Sequence, residues 1–196
     1  MAFTKVQIVS RAFTLIGKGS VISLDNPDPL VQSASDNFDM MYESSLCDAN
    51  WRFATGIQQL SLLNESPVVD RWKYIYALPS NFLKFINIYP RTYDFELYAN
   101  KKLYTNSNNP KWMEFIFQPD ITLVPSYFSR YLIWELAAFL ATSNAQVKDL
   151  TNYLDSKAAY FKAVAMANDA QNRPQTALQS NPLSEVRYVG SMTGGA

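Results

Sequence analysis

The fold of this chain is decided at Trp72-Lys73-Tyr74-Ile75-Tyr76-Ala77-Leu78-Pro79-Ser80-Asn81-Phe82-Leu83. The first half of this stretch is rich in aromatic and β-branched residues, which is typical of a β-strand. Proline has no backbone N–H and restricts the residue before it, so Leu78-Pro79 ends the strand. A second apolar strand is predicted from Phe82 to Tyr89. The stretch therefore predicts antiparallel β structure in the middle of the chain.

The strand-like pattern extends to both sides of this stretch, over residues 53–118. Besides the strand from Phe82 to Tyr89, strands are predicted at residues 56–63, 73–77, 95–99, 102–105 and 112–118. Asn100-Lys101 separates two of them and predicts a tight hairpin, because asparagine tolerates the left-handed turn conformation. We expect these strands to form one β insert.

Helical periodicity precedes the insert, over residues 4–50. Thr4 is the predicted cap of a first helix, which ends at Gly17. Asp28 is the predicted cap of a second helix, with Pro29 in its first turn, where a missing N–H is tolerated. The second helix ends near Asn50, directly before the β insert.

Two further helices are predicted over residues 125–171. The third helix is apolar on most of its circumference, so we expect it to be the most buried element. The fourth begins near Val147 and ends at Asn172. We expect an α+β fold: a four-helix bundle of two N-terminal and two C-terminal helices, with a central antiparallel β insert and an extended C-terminal arm.

The length and composition favour a single domain. A chain of 196 residues, 48% of them hydrophobic, buries roughly 70% of the surface that its unfolded form exposes. We assign the domain to residues 1–171. Residues 172–196 contain prolines, a Gly-Gly pair and few apolar anchors, so we expect them to form a flexible C-terminal arm.

Charge and residue usage argue against several function classes. Seventeen basic residues balance seventeen acidic ones, so no net field attracts the protein to nucleic acid or anionic lipid. Histidine is absent, which excludes histidine-based catalytic triads and zinc sites. The single cysteine, Cys47, allows no internal disulfide and is expected to be a small buried hydrophobe. No nucleotide fingerprint is present, and we expect no cofactor.

No segment predicts insertion into a membrane. The first residues lack a basic region followed by an apolar run, so no signal peptide is expected. The densest apolar segment, Tyr131 to Ala141, is interrupted by Glu135 and is too short to span a bilayer. These patterns predict a soluble, unsecreted protein without a membrane partner.

Three carboxylates on the second helix are candidates for chemistry. Asp36, Asp39 and Glu43 lie at helical spacings of three and four, so they share one face. They could bind a hard cation or serve a carboxylate-dependent hydrolase. Because they lack the loop and the backbone carbonyls that a calcium site needs, a solvated helix face is the favoured interpretation.

The predicted hairpin carries two lysines among aromatic residues. Lys101 and Lys102 lie near Tyr98, Tyr104 and Trp112 in the sequence. The pattern fits a solvated hairpin tip, a platform for nucleic acid, or a loop that touches phosphates in a DNA channel. The sequence leaves these alternatives open.

The chain is rich in aromatic residues, with twelve tyrosines, twelve phenylalanines and four tryptophans. Rings of this kind fill large cores, and they are also enriched at the centres of protein interfaces. The composition therefore allows two interpretations, an ordinary large core or obligate oligomerisation.

Four motifs in this order resemble the head-to-tail adaptor proteins of short-tailed bacteriophages, the tail tubular protein A family. The motifs are Ala12-Phe13-Thr14-Leu15-Ile16-Gly17, Val21-Ile22-Ser23-Leu24-Asp25, Ala49-Asn50-Trp51-Arg52-Phe53-Ala54 and Tyr74-Ile75-Tyr76-Ala77-Leu78-Pro79-Ser80-Asn81-Phe82-Leu83. The resemblance covers roughly Val6 to Phe161, and it is strongest around Trp51 and at Tyr76-Ala77-Leu78-Pro79. None of the motifs is catalytic.

The resemblance implies a structural virion protein that is not an enzyme. Such a subunit joins others in a ring, expected to be a dodecamer, between the portal protein and the tail nozzle. Genomic double-stranded DNA passes through the ring and touches it without sequence specificity. The implied partners are further copies of the chain, the portal, and nozzle or fibre proteins. The implied location is the head-tail junction of the virion, after synthesis in the host bacterial cytoplasm.

The sequence also predicts residues for these roles. The structural motif residues are Trp51, Tyr76, Leu78 and Pro79. The interface candidates are the outer face of the fourth helix and the residues Asn100, Lys101, Lys102, Arg173, Leu183, Val186 and Tyr188. Two other functions remain open: a tail-tube or nozzle component of the same virion, and a hydrolase built on the carboxylates of the second helix.

Overall fold

A computed structural model describes residues 3–67, 70–90, 94–98, 101–109, 111–143 and 150–172. The α-helices are α1 (Lys5–Leu15), α2 (Pro29–Cys47), α3 (Ser126–Ser143) and α4 (Thr151–Ala170), with short 3-10 turns at Arg52–Ala54 and Ile121–Leu123. Within the described residues, no helix is both long enough and apolar enough to cross a membrane.

Between α2 and α3, the described residues form seven strands. They are β1 (Thr55–Gln59), β2 (Ser61–Leu63), β3 (Tyr74–Ala77), β4 (Phe82–Tyr89), β5 (Phe95–Tyr98), β6 (Lys102–Thr105) and β7 (Trp112–Phe117). All pairings are antiparallel, and they form two separate sheets. The first sheet, called sheet A, has the order β1-β7-β4, and the second, called sheet B, has the order β2-β3-β6-β5.

The fold class predicted from sequence, a four-helix bundle with a central insert, was wrong. The structure is α+β with four helices and two large antiparallel sheets. Sheet A packs on the helices with one face and on sheet B with the other. Successive residues of β7 show this: Ile116 lies in the core shared with the helices, whereas Met113 and Phe115 lie in a second core between the sheets. Side chains that alternate across a strand thus supply both cores.

The chain passes from one sheet to the other at Leu60, and the sequence pattern gave no sign of this change. The predicted strand at residues 56–63 divides there into β1 of sheet A and β2 of sheet B. Leu60 is buried between the sheets, and its N–H donates to the Lys111 carbonyl at 2.7 Å. A run of strand-forming residues looks continuous in sequence even where the chain passes from one sheet to another.

The helices are arranged around α3 rather than as four equivalent members of a bundle. α3 packs most extensively on α4 and also contacts α1 and α2, while α1 and α2 touch each other little. The predicted starts of the first two helices are confirmed. The Thr4 side chain accepts from the Gln7 N–H, and the Asp28 side chain accepts from the Leu30 N–H at 2.8 Å. The fourth helix, predicted from Val147, begins at Thr151, and Val147 itself lies outside the described residues.

Trp51 lies where α2 gives way to the sheets. It is 1% exposed, and its indole N–H donates to the Ser45 carbonyl at 2.9 Å. Its ring centroid is 4.8 Å from that of Phe128 on α3, with Phe53 and Tyr131 close by. One side chain therefore joins the end of α2, the 3-10 turn and α3.

The Leu78-Pro79 motif ends β3 and leads into β4. The Leu78 N–H donates to the Lys101 carbonyl at 3.0 Å, and the Pro79 carbonyl accepts from the Phe82 N–H at 3.2 Å. Tyr76, two residues earlier, is buried between the sheets. Its hydroxyl donates to the Asn109 carbonyl at 3.0 Å, which ties β3 to the loop before β7.

Replacing Tyr76 with phenylalanine is expected to cost about 1 kcal/mol of unfolding free energy, because the ring stays in place while one hydrogen bond to the Asn109 carbonyl is lost. Urea denaturation followed by circular dichroism measures the change. Tyr74→Phe is the control on the same strand and should be near neutral. Equal costs for the two substitutions would contradict the role given to the Tyr76 hydroxyl.

Candidate interaction surfaces

A groove of about 700 Å³ is bounded by α1, α3 and α4. Among the described residues, its lining is mostly apolar and aromatic and contains no aspartate or glutamate. The lining residues are Phe3, Arg11, Thr14, Leu15, Ser126, Tyr127, Arg130, Ile133, Trp134, Phe161, Val164 and Asn168. We call this site the aromatic groove.

Two guanidinium groups lie in the aromatic groove. Arg11 is held over the ring of Phe3 at 4.4 Å, and Arg130 over the ring of Phe161 at 4.0 Å. Both arginines are exposed. Within the part of the chain that the structure describes, neither guanidinium forms an ion pair with a carboxylate. The groove therefore combines apolar surface with two positive charges that a ligand can reach.

Aromatic surface continues from the groove along α4. The ring of Tyr153 contacts Trp134 at 6.4 Å between centroids, and the ring of Tyr160 contacts Phe161 at 5.1 Å. Tyr153 is 52% exposed and Tyr160 is 59% exposed. The ammonium group of Lys157 lies over both rings, at 5.5 and 6.0 Å from their centroids. We call these three residues the α4 rim.

A buried carboxylate anchors the end of α4 beside the groove. Asp169 is 3% exposed and accepts from the Tyr127 hydroxyl at 2.7 Å and from the Arg52 N–H at 2.5 Å. Burial, together with the hydrogen bond to Asp169, raises the pKa of Tyr127 above its ordinary value. Because Tyr127 also lines the aromatic groove, this contact positions one wall of it.

The predicted hairpin at Asn100 to Lys102 connects β5 and β6, and Asn100 itself lies outside the described residues. The left-handed conformation falls on Lys101, whose φ is 56°. The Lys101 ammonium donates to the Ser80 carbonyl at 3.1 Å. Lys102 forms an ion pair with Glu65, and the hydrogen bond in this pair raises the pKa of Lys102. Of the two hairpin lysines, Lys101 thus presents a charge without a carboxylate partner among the residues described.

The three carboxylates of α2 lie on an exposed face. Asp36, Asp39 and Glu43 are all exposed, and Asp39 forms an ion pair with Lys5 at 3.1 Å. Met40 lies on the same stripe and is 60% exposed. In the described ranges, no group of three metal-binding side chains is close enough to hold an ion. We call Asp36, Asp39, Met40 and Glu43 the acidic stripe.

A charged cluster joins the end of α2 to α3 and α4. Asp48 accepts from the Tyr131 hydroxyl at 2.8 Å and pairs with Lys162 at 2.9 Å. Burial raises the pKa of the nearby Glu135, and the charges of Asp48 and Asp155 add to this, while Lys162 opposes it. The folded state thus binds a proton at Glu135 more readily than the unfolded chain does.

Replacing Glu135 with glutamine is expected to stabilise the protein at pH 7.5, because a carboxylate with a raised folded-state pKa is disfavoured when ionised. The sign follows from linkage: the wild type loses stability as pH rises from the unfolded pKa through the folded one, and the glutamine variant does not. The advantage should shrink toward acidic pH. Thermal unfolding at several pH values measures it, with the exposed Glu43→Gln as control. A less stable variant at pH 7.5 would contradict the assignment.

Several predicted site residues have a clear place in the structure. Trp51, Tyr76 and Pro79 are buried and Leu78 is half-buried, so all four lie in structural positions. Cys47 is half-buried, and burial raises the pKa of its thiol. The candidates Arg173, Leu183, Val186 and Tyr188 lie outside the described residues.

Arg11, Arg130 and Asp169 were not singled out from sequence. Each looks like an ordinary charged residue on a helix, and only the approach of α1, α3 and α4 brings the two arginines into one groove. The sequence signal that could have drawn attention to α4 is its tyrosine pair, Tyr153 and Tyr160, seven residues apart on one helix face. The outer face of the fourth helix was predicted as an interface, and the α4 rim lies there.

The chain matches no protein-family model, and a search of curated proteins finds no similar sequence. The proposals that follow therefore rest on the residues and contacts of this chain.

Proposed function

We propose that the protein is a structural subunit of a bacteriophage virion, a head-to-tail adaptor that assembles into a ring between the portal protein and the tail nozzle. The ring is proposed to be a dodecamer and to let genomic DNA pass through its centre. In this proposal the chain works by binding and not by catalysis. The motifs around Trp51 and at Tyr76 to Pro79 support the family, because they are the part of the sequence that resembles such adaptors.

The composition of the aromatic groove and the α4 rim is the main support for a binding function. The exposed rings of Tyr153 and Tyr160 continue from buried and half-buried tryptophan and phenylalanine rings that lie beside Arg11 and Arg130. These residue types dominate the energetic centres of protein interfaces. A protein partner is therefore the best account of this surface.

Contact with DNA is proposed at the β5–β6 hairpin. Lys101 is exposed and offers a positive charge, whereas the charge of Lys102 is paired with the carboxylate of Glu65. A single accessible lysine per subunit, repeated around a ring, gives weak contacts to phosphates without reading sequence. Weak contacts are suited to a lumen through which DNA must slide.

The adaptor function is tested by the native mass of the purified chain, alone and mixed with the portal protein of the same phage, followed by electron microscopy of the mixture. A ring stacked coaxially on the portal is the expected result. The variant Tyr153→Lys/Tyr160→Lys should assemble poorly, whereas Asn152→Lys/Ala159→Lys, with the same charge and spacing on a neighbouring helix face, should assemble normally. A chain that ignores the portal would overturn the proposal.

A tail-tube or nozzle component is the second candidate. It would use the same aromatic surface, since rings and tubes both require head-to-tail contacts between copies. The same microscopy separates the two candidates, because a tube component forms stacked rings without portal.

A further inference from the structure

We infer that the aromatic groove binds the acidic stripe of a second copy of this chain, so that α2 of one subunit docks between α1, α3 and α4 of the next. The inference deepens the proposed ring and rests on it for its biological role. The contact itself can be tested without any other virion protein.

The charges of the two surfaces favour the acidic stripe as the ligand of the groove. The groove and its rim carry Arg11, Arg130 and Lys157, and no carboxylate lines the groove among the residues that the structure describes. The acidic stripe carries three carboxylates, of which Asp36 and Glu43 have no ion-pair partner among the described residues. Opposite charges on two facing surfaces steer association and set its register.

The shape of the acidic stripe also suits a groove. Asp36, Asp39, Met40 and Glu43 follow the spacing i, i+3, i+4, i+7, which places all four on one face of α2, where a groove can enclose them together. Met40 supplies an exposed apolar anchor at the centre of the stripe. Methionine is flexible and polarisable, and it packs well against aromatic rings such as Trp134 and Phe161.

The two surfaces lie on different sides of α1, so one subunit can use both at once. Lys5 of α1 faces α2, where it pairs with Asp39 and lies 5.0 Å from the centroid of the Phe38 ring. Arg11 and Leu15 of the same helix line the groove. Two different surfaces on each subunit make a head-to-tail contact, which closes into a ring or continues as a filament.

Charge reversal tests the contact. Arg11→Glu/Arg130→Glu makes the groove acidic, and Asp36→Lys/Glu43→Lys makes the stripe basic. Each variant alone is expected to self-associate about a hundredfold more weakly than the wild type, because like charges then face each other. An equimolar mixture of the two should recover association, since each altered surface finds its complement. Sedimentation velocity over a concentration series measures this, with circular dichroism to establish that each variant is folded.

Control variants reverse one charge of either sign in the segment directly before β3. Lys73→Glu and Asp70→Lys change exposed residues outside both surfaces and should leave association unchanged. Recovery in the mixture is the decisive result, because misfolding of either variant cannot produce it. A cross-link that reverses no charge separates the proposed contact from general attraction between oppositely charged chains.

A cross-link gives an independent readout that does not depend on reversing charges. In a Cys47→Ser background, a chain with Met40→Cys mixed with a chain carrying Val164→Cys should form a disulfide-linked dimer under mild oxidation. Leu62→Cys is exposed on β2 and should not link to Val164→Cys.

Three outcomes would overturn the inference: a wild-type chain that is monomeric at every concentration with no cross-link, self-association that neither charge-reversed variant weakens, or a groove variant that weakens it while the stripe variant does not. A different result would point to another ligand of the groove. If removal of residues 173–196 abolishes self-association while the stripe variant still self-associates normally, the C-terminal segment and not the acidic stripe binds in the groove. Self-association through the stripe without portal binding would support the contact and overturn the adaptor function.

Discussion

Replacing Trp51 with alanine is expected to lower the free energy of unfolding by about 3–5 kcal/mol, the usual cost of deleting a large buried aromatic side chain. The ring is 1% exposed and packs edge-on against Phe128 at 4.8 Å. Its removal opens a cavity where α2, the 3-10 turn and α3 meet, and it leaves the Ser45 carbonyl without its donor. Because small domains are stable by only about 5–15 kcal/mol, this substitution removes a large share of the total.

Urea denaturation followed by circular dichroism measures the effect of Trp51→Ala. Trp51→Phe keeps much of the ring volume but loses the indole N–H, so its cost should be intermediate and it remains measurable even where the alanine variant does not fold. Trp112→Ala is the control, because Trp112 is 45% exposed at the start of β7, and a loss of about 1 kcal/mol or less is expected there. Similar losses at Trp51 and Trp112 would show that the junction is not the stabilising site described above.

Replacing Asp169 with alanine is expected to cost about 3 kcal/mol, because the Tyr127 hydroxyl and the Arg52 N–H both lose a charged acceptor in a buried place. A carboxylate in the last turn of α4 is disfavoured by the helix dipole. Its stability there depends on those two donors. Without it, the end of α4 is no longer held to the 3-10 turn and to α3.

A double-mutant cycle separates the two contacts of Asp169. Tyr127→Phe alone should cost about 1–2 kcal/mol, and the combined variant Asp169→Ala/Tyr127→Phe should cost less than the sum, since the two side chains share one hydrogen bond. Asp155→Ala, an exposed position on the same helix, should be near neutral. Strict additivity within the cycle would contradict a direct interaction between Asp169 and Tyr127.

The features that were predictable from sequence are those governed by neighbouring residues. The caps at Thr4 and Asp28 require only a side-chain oxygen two or three positions from the N–H that it accepts from. The end of β3 at Leu78-Pro79 follows from the proline ring itself. The strands at Phe82–Tyr89 and Lys102–Thr105 occupy the predicted residues, because β-branched and aromatic residues favour extended backbone wherever they pack.

The division into two sheets was not predictable from the same patterns. A continuous strand and a strand that changes sheets at Leu60 have the same alternation of residues, and the difference lies in which distant strands pair with them. β1 pairs with β7, whereas β2 pairs with β3. The four-helix bundle prediction failed for this reason: local pattern places the strands but does not show that one of their sheets covers the helices.

The sequence by itself determined where the first two helices begin, which residues form the strands Phe82–Tyr89 and Lys102–Thr105, and which classes of histidine-based chemistry are excluded. Only the tertiary structure decided that Arg11 and Arg130 share one groove, and that Asp169 reaches the backbone of Arg52, 117 residues away in sequence. The physical reason is the distance along the chain over which each kind of interaction acts. Capping and turn preferences act over a few residues, whereas grooves and buried polar contacts depend on how whole helices and sheets pack together.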